Sequence, residues 1–383
     1  MDFDFNEDQE SLRDAVRRWV DKDYTFEHRR KVVSAGGRSI DDWQAMASLG
    51  LTGLAVPESH GGMGFGAVDA MVVMEELGRG LVLEPFAQGA LMASSALQAA
   101  PAALQTQWLP RIAAGDALVV LAQQERAARY RLDHVTTRAE SGASGWVITG
   151  AKSIVAAGDQ ADAFIVPARI SGALDDVAGI GLFLIERSSA GVATRGYSMQ
   201  DGSRAAEVTF AHSPAQLIAA AGTSQQSGHA LLELAVDVGI AALCAEAVGA
   251  MDKLVALTVE YMNTRKQFGV AIASFQALRH RVADVKMQLE LARSMSYFAT
   301  LKLGEAPNQR RRALSQAKLQ LGQSMRFVGQ QCIQLHGGIA VTDEYIGSHY
   351  FKRLSVMEMQ FGDTMHHLGE VSERMQDTAG VFA

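Results

Sequence analysis

Residues 145–158 read GWVITGAKSIVAAG, and this stretch decides the fold. Trp146, Val147, Ile148 and Thr149 are side chains that suit a pleated, half-buried surface, and glycine bounds the run at both ends. Runs of the same kind lie on either side: ALVVLAQQE (117–125), HVTTRAE (134–140), AFIVPARI (163–170), GIGLFLIERS (179–188) and AAEVTFAHS (205–213). The turn pairs Ser141-Gly142, Ser144-Gly145, Gly158-Asp159 and Ser171-Gly172 separate them. Six strands joined by brief turns predict a small antiparallel barrel or sandwich. The stretch from His212 to Gly228, rich in Ala, Ser, Gln and Gly, reads as the link out of it.

Outward from this region the period changes. Toward the N-terminus, Phe5, Leu12, Val16, Trp19 and Val20 form one helical stripe. Asp41 and Asp42 are placed to cap a helix that runs to Leu49 and stops at Gly50. Helical character resumes at Asp69, and Pro101 and Pro110 punctuate further helices. Toward the C-terminus, Leu278, Val282, Val285, Leu289, Ala292, Met295 and Ala299 step by three and four, as do Leu314, Ala317, Leu321, Ser324 and Val328. These long helices predict a bundle. The result is an α+β multidomain chain: a helical segment over 1–117, a β segment over 118–213 and a helical segment over 229–383.

The 383 residues carry 35 Lys and Arg against 42 Asp and Glu, a net charge of −7. With mean hydropathy of +0.03 and a pI near 5.8, this is ordinary globular composition and a poor bulk field for nucleic acid. The acidic N-terminus MDFDFNEDQESLRD is unlike a signal or transit peptide. The most apolar long stretch, Ala230 to Ala250, carries Glu233, Asp237 and Glu246, which argues against a membrane span. Cys244 and Cys332 lie far apart in apolar surroundings, so packing in a reducing compartment, the cytoplasm, is expected. His349, His366 and His367 lack ligand spacing, and no metal is expected.

Three glycine-bearing motifs could carry chemistry. Gly62-x-Gly64-x-x-Ala67, with Glu84 beyond, imitates a dinucleotide fingerprint, but no parallel βαβ alternation surrounds it and a tight turn is the better reading. Tyr261-MNT-Arg265-Lys266-Gln267-Phe268-Gly269 places an arginine at a helix end beside a glycine that stops the helix. Its forked guanidinium can take a pyrophosphate, or can simply be a solvated helix-end charge. Gln334-Leu335-His336-Gly337-Gly338 offers bare backbone amides to a ligand, or a plain helix C-cap.

Taken together, these motifs resemble the acyl-CoA dehydrogenase family over nearly the whole chain. The likeness rests on LGLTGLAVPESHGGMGFG (49–66), MEELGR (74–79), GWVITGAKSIV (145–155), VEYMNTRKQFGVAIASFQALRHRVADV (259–285) and QLHGGIAVTDEY (334–345). GYSMQDGSRAAEVTF (196–210), IAALCAEAVGAMD (240–252), FVGQQCIQLHGG (327–338) and HYFKRL (349–354) resemble the branch of pimeloyl-CoA dehydrogenase small subunits. The resemblance implies an N-terminal α-helical domain, a middle antiparallel β-barrel and a C-terminal four-helix bundle that forms dimers or tetramers. It implies FAD as cofactor, an acyl-CoA as substrate and electron-transfer flavoprotein as electron acceptor. By the same resemblance, Arg265, Gln267 and Phe268 hold the pyrophosphate end of a neighbouring subunit's FAD. Gln334, Gly337 and Gly338 would meet its adenosine side, and Asp237 would contact the acyl-CoA thiol arm. The family's reaction takes a thioester α-proton with a carboxylate base and passes the β-hydride to the flavin.

The sequence departs from the family where that base should be. The usual glutamate of a Tyr-Glu-Gly-Thr stretch is matched by Gln360-Phe361-Gly362-Asp363, with Phe361 in the base's place, or Gly362 if the alignment slides by one. The alternative position on an earlier helix falls on Gly239. The flavin-ring stretches read Gln124-Glu125-Arg126, Ala128-Arg129-Tyr130-Arg131 and Ile154-Val155-Ala156, and an Arg-Asp pair has become Lys352-Arg353. No catalytic residue is assigned; Glu246, Glu358 and Asp363 remain as carboxylates that could serve as a displaced base. The expectation is a base-deficient subunit of a heteromeric enzyme. A self-sufficient homo-oligomer and a non-catalytic paralogue stand as alternatives.

Overall fold

The computed structural model describes residues 5–143 and 145–376; Ser144 of the expected Ser144-Gly145 turn lies outside the described residues, as do the first four and last seven residues. The chain begins with α1 (Glu7–Lys22), α2 (Phe26–Ser34), α3 (Ile40–Ser48), α4 (Ala67–Gly80), a π-helical turn (Ala87–Met92), α5 (Ala93–Leu97) and α6 (Ala102–Ala113). The strands are β1 (Val119–Leu121), β2 (Arg138–Gly142), β3 (Gly145–Ala156), β4 (Ala163–Arg169), β5 (Ile180–Glu186), β6 (Val192–Ser198) and β7 (Arg204–Ala219). Then come α7 (Gly228–Thr264), a hairpin of β8 (Lys266–Gln267) and β9 (Val270–Ala271), α8 (Gln276–Lys302), α9 (Pro307–His336), α10 (Ile346–Met359) and α11 (Thr364–Gln376).

Local chemistry sets the boundaries. Asn6 and Gln9 close a capping box on α1, and Val16, Trp19 and Val20 of its stripe are buried. The cap of α3 is Ser39, whose Oγ accepts from Asp42 N–H; Asp41 and Asp42, expected as caps, instead place acid in the first turn. Pro110 lies inside α6 rather than ending a helix. The 57–66 glycines make the tight turn expected: a Cβ on Gly62 would sit 2.0 Å from the Val56 carbonyl oxygen.

The strands close a ring in the order β4–β2–β3–β7–β5 and back to β4, with β1 added on β4 and β6 on β7. The barrel therefore forms, with two corrections. It is not wholly antiparallel, since β1 and β2 both run parallel to β4. It also has a strand the pattern missed: β6, whose VATRGYS is mostly solvent-facing and so lacks an apolar signal. The link expected from His212 is itself strand as far as Ala219. β4 is buried along its whole length and reads as a continuous apolar run.

Two compact units emerge: Met1–Lys31 with Ala67–Val82 and Ile240–Ala383, and Val32–Gly66 with Leu83–Gly239. The second contains the barrel, with Ile148, Phe164, Ile165, Val166, Leu182 and Phe183 in its core. In the first, α9 packs on α8, α10 and α11. The expected fourth bundle helix is two helices, α10 and α11, broken between Gln360 and Asp363.

Within that unit α4 crosses α7 at backbone contact. A Cβ on Gly78 would lie 2.1 Å from the Glu246 carbonyl oxygen, and one on Gly249 would lie 1.8 Å from that of Glu75. The obstacles are backbone atoms, so the helices must part to admit a methyl group. Gly249→Ala is expected to cost about 1–3 kcal/mol through overpacking, despite the better helix propensity of alanine. Chemical unfolding would measure it; an unchanged midpoint would mean the crossing is looser than the geometry implies.

Candidate functional site

α7 ends at Thr264, and Arg265 is the first residue beyond it, its N–H donating to the Tyr261 carbonyl at 2.8 Å. Gly269 does not end the helix, as the sequence suggested; it shares the hairpin turn with Phe268. Both have positive φ, 54° and 81°, the combination a two-residue type I′ turn demands. Glycine takes this conformation freely and phenylalanine does not. Its ring is 92% exposed, with Phe275 edge-on at 6.1 Å. Arg265 and Gln267 are exposed too, and among the described residues no carboxylate pairs with Arg265.

The second motif ends α9. Gln334, Gly337 and Gly338 are exposed, Gly337 has φ +67°, and a Cβ on either glycine would meet nothing within 4 Å. The Gly337 N–H is taken by the Gln334 and Ile333 carbonyls at the end of α9, but with no Cβ in the way the backbone of both glycines can be approached closely. His336, between them, is buried against Tyr261 of α7 and Tyr345. The structure thus brings Arg265, Gln267 and Phe268 into the same helical unit as Gln334, Gly337 and Gly338, with aromatic rings joining the two motifs. Asp237 lies apart from them in sequence on α7 and is 0% exposed.

The stretch that the resemblance matches to the family's base falls at the break between α10 and α11. Phe361 and Gly362 adopt φ of 58° and 113°. A buried lysine holds this break: Lys318 Nζ donates to the carbonyls of Met357 (3.0 Å), Glu358 (2.8 Å) and Gly362 (3.0 Å). Burial lowers its ammonium to about 8. His367, also buried, donates from Nε2 to the Phe361 carbonyl, and burial pushes its imidazole down to about 2, so it stays neutral.

The nearby carboxylates are all engaged. Glu246 takes a two-pronged ion pair from Arg353, at 2.6 and 2.7 Å. Glu358 Oε1 accepts from Thr364 N–H (3.0 Å), Thr364 Oγ1 (2.5 Å) and Arg326 (3.3 Å). Asp363 accepts from His366 N–H at 2.8 Å and caps α11. A base must be able to turn toward a proton; these side chains are spent on helix ends and a salt bridge.

In the barrel unit, Glu125 is buried at the centre of a full shell. Lys152 Nζ donates to it at 2.7 Å, Thr136 N–H at 2.8 Å and Thr137 N–H at 3.0 Å, with the Thr136 hydroxyl closer still. Burial alone would raise its pKa; the Lys152 charge and these donors win and hold it at about 2. Next to Lys152 the β3–β7 ladder slips, and Ile154 at φ 51° is pushed out to 48% exposure. Sequence reasoning missed Lys152 and Lys318 as organisers. Their only signal is a lysine inside an otherwise apolar pattern.

A chain that combines this barrel with long helices and exposed, glycine-bearing motifs falls in the class of helix–barrel–helix oxidoreductases. It matches the acyl-CoA dehydrogenase N-terminal domain over residues 6–116 and the acyl-CoA dehydrogenase C-terminal domain over residues 226–376. It is 31% identical to acyl-CoA dehydrogenase IpdE2 of Mycobacterium tuberculosis (strain ATCC 25618 / H37Rv), over 91% of each chain. With acyl-CoA dehydrogenase FadE27 of the same organism it is 25% identical, over 99% of this chain and 100% of that one. The fold superposes on the ChsE4-ChsE5 complex from Mycobacterium tuberculosis with a TM-score of 0.88, at 24% identity and covering 99% and 100% of the two chains. It superposes on the FAD complex of PigA with 0.89, at 22% identity and covering 98% and 99%. The chain belongs to the acyl-CoA dehydrogenase family, whose members are FAD-dependent oxidoreductases acting on CH–CH bonds.

The residues fit FAD at one end only. At the motifs that the resemblance assigns to the diphosphate and adenosine, the exposed Arg265 guanidinium and the open Gly337-Gly338 backbone suit an anionic, flat ligand. At the ring-binding stretch, Ile154, Val155 and Ala156 carry no polar side-chain atom, and both oxygens of Glu125 are taken. Among the described residues no group of His, Cys, Asp or Glu is placed to hold a metal ion, and no helix is long and apolar enough to cross a membrane.

Proposed function

We propose that this chain is the base-deficient subunit of a heteromeric acyl-CoA dehydrogenase, completing with Arg265–Gly269 and Gln334–Gly338 an FAD site seated mostly in a paralogous partner. The observation that carries this reading is the break at Phe361-Gly362. It is braced by Lys318 and presents a phenyl ring, and the three carboxylates that could serve as a displaced base, Glu246, Glu358 and Asp363, each hold a structural partner.

In this reading FAD supplies the hydride acceptor for α,β-desaturation of an acyl-CoA thioester. Arg265 pairs with the pyrophosphate charge, Gln267 adds a hydrogen bond and Phe268 covers it with an apolar face. Gln334 and the exposed backbone of Gly337 and Gly338 receive the adenosine side. The partner supplies the base, and an electron-transfer flavoprotein receives the electrons. Asp237 would touch the thiol arm of a bound thioester. The likeness to pimeloyl-CoA dehydrogenase small subunits favours dicarboxylyl or ring-derived thioesters as substrates. The same fold occurs in a complex of two named components, ChsE4 and ChsE5. Free, buried thiols at Cys244 and Cys332, with burial raising them to about 12 and 11, suit a reducing cytoplasm.

The test is to purify the chain alone and with co-expressed paralogous candidates, count FAD per assembly and assay acyl-CoA-dependent dye reduction. The chain alone should be colourless and inactive, and the assembly active with less than one FAD per chain. Arg265→Ala in this chain should weaken FAD retention by the assembly about 10–100-fold, the range for a lost charge-assisted hydrogen bond. A yellow, active homo-oligomer would overturn the proposal and direct attention to a displaced carboxylate.

A further inference from the structure

His336 differs from its neighbours in being buried, 3% exposed, although Gln334, Gly337 and Gly338 around it face solvent. Its Nδ1 lies 2.8 Å from the Cys332 carbonyl oxygen. A carbonyl only accepts, so Nδ1 carries the proton and Nε2 keeps a lone pair. The Tyr345 hydroxyl lies 2.7 Å from Nε2 and therefore donates to it. The imidazole also lies against two tyrosine rings, at 4.8 Å and a 35° tilt to Tyr261 and at 5.0 Å and a 51° tilt to Tyr345. Tyr261 stands one helical turn before Arg265 and accepts its backbone N–H. The far end of the glycine segment is tied separately, by His349 Nε2 donating to the Asp343 carbonyl at 2.9 Å.

Each motif has only short local support. Gly337 N–H caps α9 and Gly337–Val341 form one brief 3-10 segment, with no side chain on either glycine to pack, and the Arg265 hairpin is two residues per strand, too short to be stable alone. We propose that His336 is a positioning residue: gripped by the Tyr345 hydroxyl and sandwiched against Tyr261, it locks the glycine turn and the Arg265 hairpin into one platform for the adenosine diphosphate half of a neighbouring chain's dinucleotide. The inference rests on the reading under Proposed function and adds what keeps the two motifs in register. Ligand groups must be held within a fraction of an ångström to realise their binding energy, and glycine backbone without an anchor cannot do so.

The experiment uses the intact assembly and measures dissociation constants for FAD and for FMN, which lacks the adenosine phosphate. Tyr345→Phe removes one hydroxyl, and His336→Phe keeps a stacked ring but loses both hydrogen bonds. Each is expected to weaken FAD about tenfold while FMN affinity stays as it was. His336→Gln, which can still donate and accept, should recover part of the loss. In parallel, 15N spectra should show His336 as the neutral Nδ1–H tautomer. Equal losses for FAD and FMN, no loss at all, or the Nε2–H tautomer would overturn the assignment. Arg265→Ala separates the two ideas. If it weakens FAD while Tyr345→Phe and His336→Phe do not, the positioning role alone fails; if Arg265→Ala has no effect, the shared-site reading itself fails.

Discussion

Lys152→Met is expected to lower the unfolding free energy by about 3–5 kcal/mol, the cost of stranding a buried charge. Lys152 is wholly buried and its ammonium meets Glu125 at 2.7 Å. Methionine fills the same volume, so packing is little disturbed; what remains is a carboxylate deprived of its counter-charge away from water. Glu125 would then take up a proton or drag in solvent, and either loosens the hold of Thr136 and Thr137 on it. Glu125→Gln added to Lys152→Met should recover part of the loss, because a neutral amide tolerates burial and still accepts from those amides. The carboxylate's folded pKa, near 2, lies below its ordinary 4.5. Its contribution is therefore fully present above pH 4.5 and fades as the pH falls toward 2. Denaturant midpoints of the three variants across that range check both statements; a loss under about 1 kcal/mol would mean the pair is effectively solvated.

Lys318→Met is the second large effect, about 3 kcal/mol, because three buried carbonyls lose their shared donor. The carbonyls of Met357, Glu358 and Gly362 close the end of α10 and the start of the break, where no backbone N–H is available to replace an ammonium. The break should then relax around Phe361, whose positive φ is sustained only by such surroundings. Burial sets this amine at about 8, below its ordinary 10.5. Between those values the unfolded chain binds the proton more tightly, so stability of the parent should rise as pH climbs from 8 to 10.5. That slope should vanish in Lys318→Met, although the variant is less stable throughout, since an uncharged amine can still donate and a methyl cannot. Parallel unfolding curves for parent and variant above pH 8 would refute this role for Lys318.

Much of the molecule was legible in order rather than in detail. The β-branched and aromatic runs of 145–158 and its neighbours, cut by glycine turns, pointed to the barrel, and the three-and-four stepping of Leu278 to Ala299 pointed to the buried face of α8. β6 was not legible, because a mostly exposed strand carries no apolar period, and Ser39 was overlooked as a cap because two aspartates stood beside it. At the site, a phenylalanine where the family resemblance would place a base could be read from the motifs alone. That Glu246 and Glu358 are held by Arg353 and Arg326 could not, because those arginines are recognised as partners only in space.

By itself the chain determined where helix gives way to strand and back, which residues the motifs at Arg265 and Gly337 contain, and that a phenyl group stands where a carboxylate is usual. Those properties depend on neighbours within a turn or two, where side-chain period and glycine's conformational range act directly. Only the tertiary structure decided that Lys152 answers Glu125 across 27 residues, that Lys318 closes a break 44 residues away, and that His336 lies between two tyrosines. A buried charge or polar ring must find its counterpart wherever the fold brings one, and the linear order of residues holds no record of which that is.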